Sequence, residues 1–171
     1  MRSLAEENKT GTVELLLTKP ITHWQILWGK FLGCLALIFC ALLCTLPFCI
    51  SIIYLGPADI GVIFCGYLGL FLMSAAYIAI GIFASSITSN QVVAFLIALF
   101  IGIFFQLLFG MVGSGLQGTA GEILNYLGVQ LHYDGITRGL IDSRDVLYFL
   151  SIVFLGLILS EVSLSKRHTS E

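Results

Sequence analysis

Residues 60–83 read IGVIFCGYLGLFLMSAAYIAIGIF and contain no charged side chain. They belong to a longer stretch, between Asp59 and Glu122, in which no acid, lysine or arginine occurs. A helix that crosses the hydrocarbon core of a bilayer needs about 20 apolar residues. The run from 60 to 83 is long enough, so the sequence predicts a transmembrane helix here.

Three more apolar runs have a similar length, at residues 31–53, 91–111 and 146–164. Each run is continuous, whereas the strands of a membrane barrel alternate apolar and polar residues over about ten positions. The chain of 171 residues is 58% hydrophobic and 11% charged, against about 25% charged residues in soluble domains. We therefore predict an all-α, polytopic helical membrane protein with about four transmembrane helices and short amphipathic interfacial helices.

The lysines and arginines predict the orientation, because they concentrate on the cytoplasmic side of membrane proteins. Four spans place both ends of the chain on one side, and the two sides then hold six and two of these residues: Arg2, Lys9, Lys19, Lys30, Lys166 and Arg167 against Arg138 and Arg144. Both termini are therefore predicted to be cytoplasmic. The predicted parts are a cytoplasmic amphipathic segment (1–30), three transmembrane helices (31–112), an external loop with short amphipathic helices (113–145), and a last transmembrane helix with a cytoplasmic tail (146–171).

The segment 1–30 carries half of the eight lysines and arginines. Trp24 and Trp28 lie four residues apart on one face of a predicted amphipathic helix, a position that suits tryptophans anchoring a helix at the membrane interface. Two interpretations stay open on physical grounds. The segment is either a membrane-surface anchor with solvated charges, or a lever between a soluble partner and the spans.

Small residues mark one face of the predicted helix 60–83. The stretch 74–81 carries small residues three and four positions apart, among them Ser74, Ala75 and Ala79, and small side chains let helix backbones approach closely in lipid. We predict a helix-packing contact at these residues, either within one subunit or with a second copy. Gln106 could line a path through the bundle, but we favour a hydrogen bond between helices.

The predicted external loop contains Asp134, Arg138 and Asp142 at a spacing of four residues. On one helix these side chains form a small ladder of ion pairs. Glu122 and His132 lie in the same loop, but their spacing fits no metal-ligand or acid–base pattern such as His-Glu-x-x-His. We therefore predict neither a catalytic residue nor a metal site.

Several classes of function are disfavoured by the composition. No Gly-x-x-x-x-Gly-Lys-Ser/Thr loop is present, so the chain does not hydrolyse ATP by itself. No ionisable residue lies deep in a predicted span, which argues against ion-coupled transport. A net charge of -2 with no basic stripe gives no support for a nucleic-acid partner. The five cysteines all fall in apolar runs, where cysteine is a small apolar residue.

The first twenty residues, MRSLAEENKTGTVELLLTKP, together with LWGKFLG at 27–33, resemble the permease subunits of type-2 ABC exporters. The resemblance is to the gliding-motility GldF-like branch in particular, with the NosY-like permeases as relatives. Residues 81–91, 136–142 and 144–151 agree with the same family.

The resemblance implies a permease subunit without catalysis of its own, in the bacterial inner membrane. It implies membrane lipid around the chain, a cytoplasmic ABC ATPase that carries ATP and Mg, a second permease subunit in a homodimer or heterodimer, and outward movement of an unknown substrate. No cofactor is expected in this chain. The segment that matches 6–18 lies against the ATPase in such permeases, and its matching residues here are Glu6, Glu7, Lys9, Gly11, Thr12 and Glu14.

The family has two spans before this motif, so the resemblance implies a chain that starts after those spans. A different class of function stays open beside the exporter: a non-transporting membrane scaffold or anchor that recruits a cytoplasmic complex.

Overall fold

A computed structural model describes residues 22–56, 59–115, 118–139 and 141–169. These residues form helices and contain no strand, so the predicted all-α fold is confirmed. In chain order the helices are α1 (His23–Leu55), α2 (Ile60–Ile87), α3 (Gln91–Ile103), a π-helical turn (Phe104–Leu108), α4 (Phe109–Gly115), α5 (Thr119–Leu127), α6 (Val129–Thr137) and α7 (Ser143–Thr169).

Three of the described helices, α1, α2 and α7, are long and apolar enough to cross a membrane. They contain the predicted spans 31–53, 60–83 and 146–164. The fourth predicted span, 91–111, is helical as well, but the π turn divides it after the 13 residues of α3. A π turn inserts an extra residue into an α-helix and often marks a functional position. Here that turn contains Gln106.

The helix boundaries differ from the predicted ones at both ends of the spans. Helix α1 begins at His23, so the predicted amphipathic helix with Trp24 and Trp28 and the first predicted span are one continuous helix. Helix α2 continues to Ile87, four residues beyond the predicted span 60–83. The Asn90 side chain then accepts a hydrogen bond from the Val92 N–H at 3.0 Å and caps α3.

The described residues divide into two compact units. The first consists of residues 22–34, 76–102 and 151–169. In this unit α2 and α7 approach each other at Ala79 and Gly156. A methyl group added to Gly156 would lie 3.0 Å from the Ala79 Cβ and 3.1 Å from its carbonyl carbon. Only glycine fits there without moving the backbone of α2.

Hydroxyl groups support the same pair of helices in the first unit. The buried Ser160 donates to the Gly156 carbonyl within α7 at 2.6 Å. Ser163 of α7 donates across to the Ser86 carbonyl of α2 at 3.3 Å. Close backbones and hydroxyl contacts are the means by which helices associate in lipid, where no hydrophobic force drives them together.

The second unit comprises the described parts of 35–75 and 103–150. In it, α6 packs on α2 through another glycine, since a Cβ on Gly69 would lie 3.3 Å from Ile136 and 3.4 Å from the Tyr133 ring. Past the end of α6, Gly139 has a φ of +87° and lies against Val62 in the first turn of α2. The short helices are therefore fixed to the start of a long apolar helix.

The α2–α7 contact yields a direct test. Replacing Gly156 with Ala is expected to lower stability by about 1–3 kcal/mol, because the new methyl group overpacks the Ala79 backbone. Gly29→Ala in α1 is the matched control: nothing lies within 4 Å of a Cβ there, so the substitution is expected to be neutral or stabilising by up to about 1 kcal/mol. The unfolding midpoint in detergent micelles measures both. A Gly156→Ala protein as stable as Gly29→Ala would contradict the close contact.

Candidate functional site

The residues predicted to contact an ATPase lie outside the described part of the chain. They are Glu6, Glu7, Lys9, Gly11, Thr12 and Glu14. The predicted interface anchors Trp24 and Trp28 are described, and both lie in the first turns of α1. The Trp28 ring is 37% exposed and meets Phe31 edge to face, with 5.8 Å between the ring centroids.

The predicted packing residues of α2 have different environments. Ala75 and Ala79 are buried, and Ala79 makes the contact with Gly156 described above. Ser74 is half-buried, and its hydroxyl donates to the Leu70 carbonyl of its own helix at 2.7 Å. A serine hydroxyl bonded in this way is satisfied without a partner on another helix.

A chain of hydrogen bonds joins α1 and α2 in the second unit. The Thr45 hydroxyl donates to the Leu42 carbonyl at 2.7 Å, so it accepts from the Tyr67 hydroxyl, also at 2.7 Å. The Tyr67 oxygen in turn accepts from the Cys49 thiol at 3.0 Å. The phenol is thereby satisfied within an apolar groove of about 470 Å³ that residues of both helices line.

His132 is the centre of a polar cluster that sequence reasoning missed. Its side chain is 1% exposed. Its Nδ1 lies 2.7 Å from the Asp145 carboxylate of α7, and its Nε2 lies 2.8 Å from the Tyr126 carbonyl of α5. The ring stacks on Tyr148 at 4.0 Å and meets the Tyr126 ring edge to face at 4.9 Å. These four residues form the His132 cluster.

The hydrogen bonds of the His132 ring satisfy both of its nitrogens. A carbonyl only accepts, so Nε2 donates to Tyr126. Nδ1 lies within hydrogen-bond distance of the Asp145 carboxylate. A buried polar group costs free energy unless it has a hydrogen-bond partner, and each nitrogen of this buried ring has one.

Two further contacts hold the His132 cluster in place. The Tyr148 hydroxyl donates to the Leu127 carbonyl at 2.6 Å and ties α7 to the end of α5. Gly135 of α6 faces the other carboxylate oxygen of Asp145, and a Cβ there would lie only 2.7 Å from it. The absence of a side chain at Gly135 thus allows α6 to approach Asp145. The cluster joins α5, α6 and α7.

The predicted ion-pair ladder of Asp134, Arg138 and Asp142 needs correction. The helix ends at Thr137, because the left-handed Gly139 closes its last turn, and Asp142 lies beyond it. Among the described residues no ion pair joins these three side chains. The Asp142 carboxylate instead accepts from the Arg144 N–H at 3.0 Å.

Asp134 belongs to a different polar chain, which begins in the π turn. The Gln106 amide donates to Gln130 of α6 at 2.9 Å, and the Gln130 amide donates to the Asp134 carboxylate at 2.9 Å. Gln106 therefore forms the predicted hydrogen bond between helices.

The described residues contain no group of three or more His, Cys, Asp or Glu side chains that could hold a metal ion.

Comparison with known proteins adds one finding to this geometry. The model of a family described as ABC-2 family transporter protein matches residues 1–159. This range includes the polar N-terminal segment, α1, α2, the His132 cluster and most of α7. A comparison with curated proteins finds no match for the chain.

The His132 cluster generates a graded prediction. His132→Phe keeps an aromatic ring for stacking but removes both hydrogen bonds and leaves the part-buried Asp145 carboxylate without its partner, so we expect a loss of roughly 3 kcal/mol in unfolding free energy. Tyr148→Phe removes one hydroxyl donor and is expected to cost about 1 kcal/mol. Unfolding by SDS in mixed micelles measures both variants. A His132→Phe protein no less stable than Tyr148→Phe would show that the hydrogen bonds of His132 do not hold the cluster.

Proposed function

Since the chain belongs to the ABC-2 family of transporter proteins, we propose that it is the membrane-spanning permease subunit of an ATP-driven exporter. In this proposal it couples a separate cytoplasmic ATPase to the outward movement of a substrate. The family match over residues 1–159 carries the proposal. The three long apolar helices α1, α2 and α7 agree with a multi-pass membrane protein.

ATP hydrolysis belongs to the partner in this proposal. ABC-2 permeases are the transmembrane components of transporters that work with an ABC ATPase, and they are generally not catalytic themselves. We propose that ATP and Mg bind to the ATPase and that no cofactor binds to this chain. The chain's own contribution is to receive the movement of the ATPase and to change the arrangement of its spans.

We propose that the residues 6–20 form the contact with the ATPase, through Glu6, Glu7, Lys9, Gly11, Thr12 and Glu14. The segment is charged and directly precedes α1, which begins at His23 and continues without interruption to Leu55. In this proposal a displacement of its first turn moves the part of α1 that enters the membrane. Trp24 and Trp28 would then anchor that first turn at the membrane interface.

The surroundings of α1 support a second permease subunit. The most apolar stretch of this helix contains no residue buried by the described part of the chain, so it is available to lipid and to another subunit. We propose a homodimer or heterodimer in the bacterial inner membrane with both termini in the cytoplasm. Within the family, the resemblance of 1–33 favours the gliding-motility GldF-like branch.

Charge reversal tests the contact with the ATPase. The triple variant Glu6→Lys, Glu7→Lys and Glu14→Lys is expected to abolish co-purification of the ATPase, because it reverses the charges through which we propose that this segment pairs with basic groups of the ATPase. Glu122→Lys is the matched control: this acid is exposed in the first turn of α5 and is expected to leave co-purification unchanged.

Retained co-purification of the triple variant would refute the docking role of this segment. Proteoliposomes with both wild-type subunits separate the exporter from the scaffold. ATP-dependent movement of substrate is expected for an exporter, and a scaffold that binds the ATPase shows none.

A further inference from the structure

A polar cleft of about 570 Å³ lies beside the His132 cluster, within the second unit. Residues of α5, α6 and the start of α7 line it, together with the turn between α6 and α7. Its charged and amide side chains are Gln130, Asp134, Arg138, Asp142, Arg144 and Asp145. In a chain with 18 charged residues in all, 8 basic and 10 acidic, five of them gather in one cleft.

The three carboxylates of the cleft already accept hydrogen bonds from the protein. Asp134 accepts from the Gln130 amide, Asp142 from the Arg144 N–H, and Asp145 from the buried His132 ring. Each negative charge is thus at least partly compensated by a donor of the chain itself. A free cation would have to compete with these donors for the carboxylate oxygens.

The two guanidinium groups of the cleft differ from its acids in this respect. Among the described residues, no hydrogen bond or ion pair involves the side chain of Arg138 or of Arg144. Both side chains are exposed. A guanidinium group carries five N–H donors in a planar fork that matches the oxygens of a phosphate or carboxylate. The cleft therefore offers donors for an anion.

The backbone holds both arginines in defined positions. Arg138 follows the last residue of α6, and its N–H donates to the Gly135 carbonyl at 3.3 Å. The next residue, Gly139, is fixed against Val62 in the first turn of α2. Arg144 lies in the first turn of α7, and the Asp142 carboxylate caps its N–H. Backbone contacts of the chain itself thus hold both arginines in position.

The cleft lies where apolar helices begin. Helix α7 begins at Ser143, within the cleft wall, and α2 begins at Ile60, next to the turn that carries Arg138. The ends of helices that span the hydrocarbon core lie at the level of the lipid headgroups. The phosphate groups of lipids are the anions concentrated at that level, within reach of donors at the helix ends.

From these observations we infer that the cleft is a binding site for a phosphate group, which Arg138 and Arg144 hold with charge-assisted hydrogen bonds. The phosphate is that of a lipid headgroup or of a free phosphorylated molecule, because the same donors serve both. The His132 cluster forms one wall of the site, and its Asp145 carboxylate is held by the hydrogen bond with the imidazole. The site needs no ATPase and does not depend on the proposed docking segment.

The test uses the full chain purified in a neutral, phosphate-free glycoside detergent. Inorganic phosphate is titrated at constant ionic strength in one arm, and phosphatidylglycerol in mixed micelles is titrated in the other. Chloride and diacylglycerol are the matched probes without phosphate. The ³¹P line width reports binding directly, and the rise in the unfolding midpoint reports it independently.

Arg138→Gln and Arg144→Gln are each expected to weaken phosphate binding about tenfold or more, which corresponds to the loss of a charged hydrogen bond. Arg138→Lys and Arg144→Lys keep the charge but lose the fork, so they are expected to recover binding only in part. Lys166→Gln is the matched control: this exposed cation of α7 is not in the cleft wall and is expected to bind like the wild type.

The outcomes separate the sources of the phosphate and decide the inference. A response in the lipid arm alone assigns a lipid headgroup, and a response to inorganic phosphate assigns a site open to free phosphate esters. No response in either arm would overturn the inference, and so would a response that the arginine variants leave unchanged or that Lys166→Gln reduces equally. Circular dichroism of each variant shows that the helices are intact.

Discussion

In hydrocarbon, every backbone N–H and C=O needs a partner within the protein, because no water is available to supply one. The described part of this chain meets the requirement with helices, and its hydroxyl side chains follow the same rule. Several of them donate to carbonyls of their own helix: Thr45 to Leu42, Ser51 to Pro47, Ser74 to Leu70, Ser86 to Phe83 and Ser160 to Gly156. The helices are thus free to pack through small residues, as Gly156 does against Ala79 in the first unit.

The polar chemistry of the described residues is concentrated where the spans end. His132, Asp145 and their tyrosine neighbours join α5, α6 and α7, and the cleft with Arg138 and Arg144 lies beside them. An imidazole that is 1% exposed is retained at this position because each of its ring nitrogens has a hydrogen-bond partner. The same arrangement holds the Asp145 carboxylate, and the arginines supply the affinity for an anion that we infer for the cleft.

The long helices could be predicted from the sequence, because continuous apolar runs of sufficient length allow few other structures in a membrane. The contact of Gly156 with Ala79 could not, since hydropathy does not tell which faces of two apolar helices meet. The acids four residues before and after Arg138 predict that it lies within a helix. The helix ends before it, because Gly139 adopts the left-handed conformation, and a glycine near the end of a helical pattern is the sequence feature that indicates such an end. The contact between His132 and Asp145 could not be predicted either. The two residues are thirteen positions apart and lie on different helices, so helical periodicity does not relate them.

The family match and the apolar helices together describe a permease whose working partner is an ABC ATPase. The central claim is that this chain transmits the ATPase cycle into the membrane. The ATP hydrolysis rate of the ATPase in proteoliposomes, with and without the chain, tests it most directly. We expect the chain to raise the rate and substrate to move only while ATP is hydrolysed. An unchanged rate, with substrate moving equally in the absence of ATP, would contradict the account.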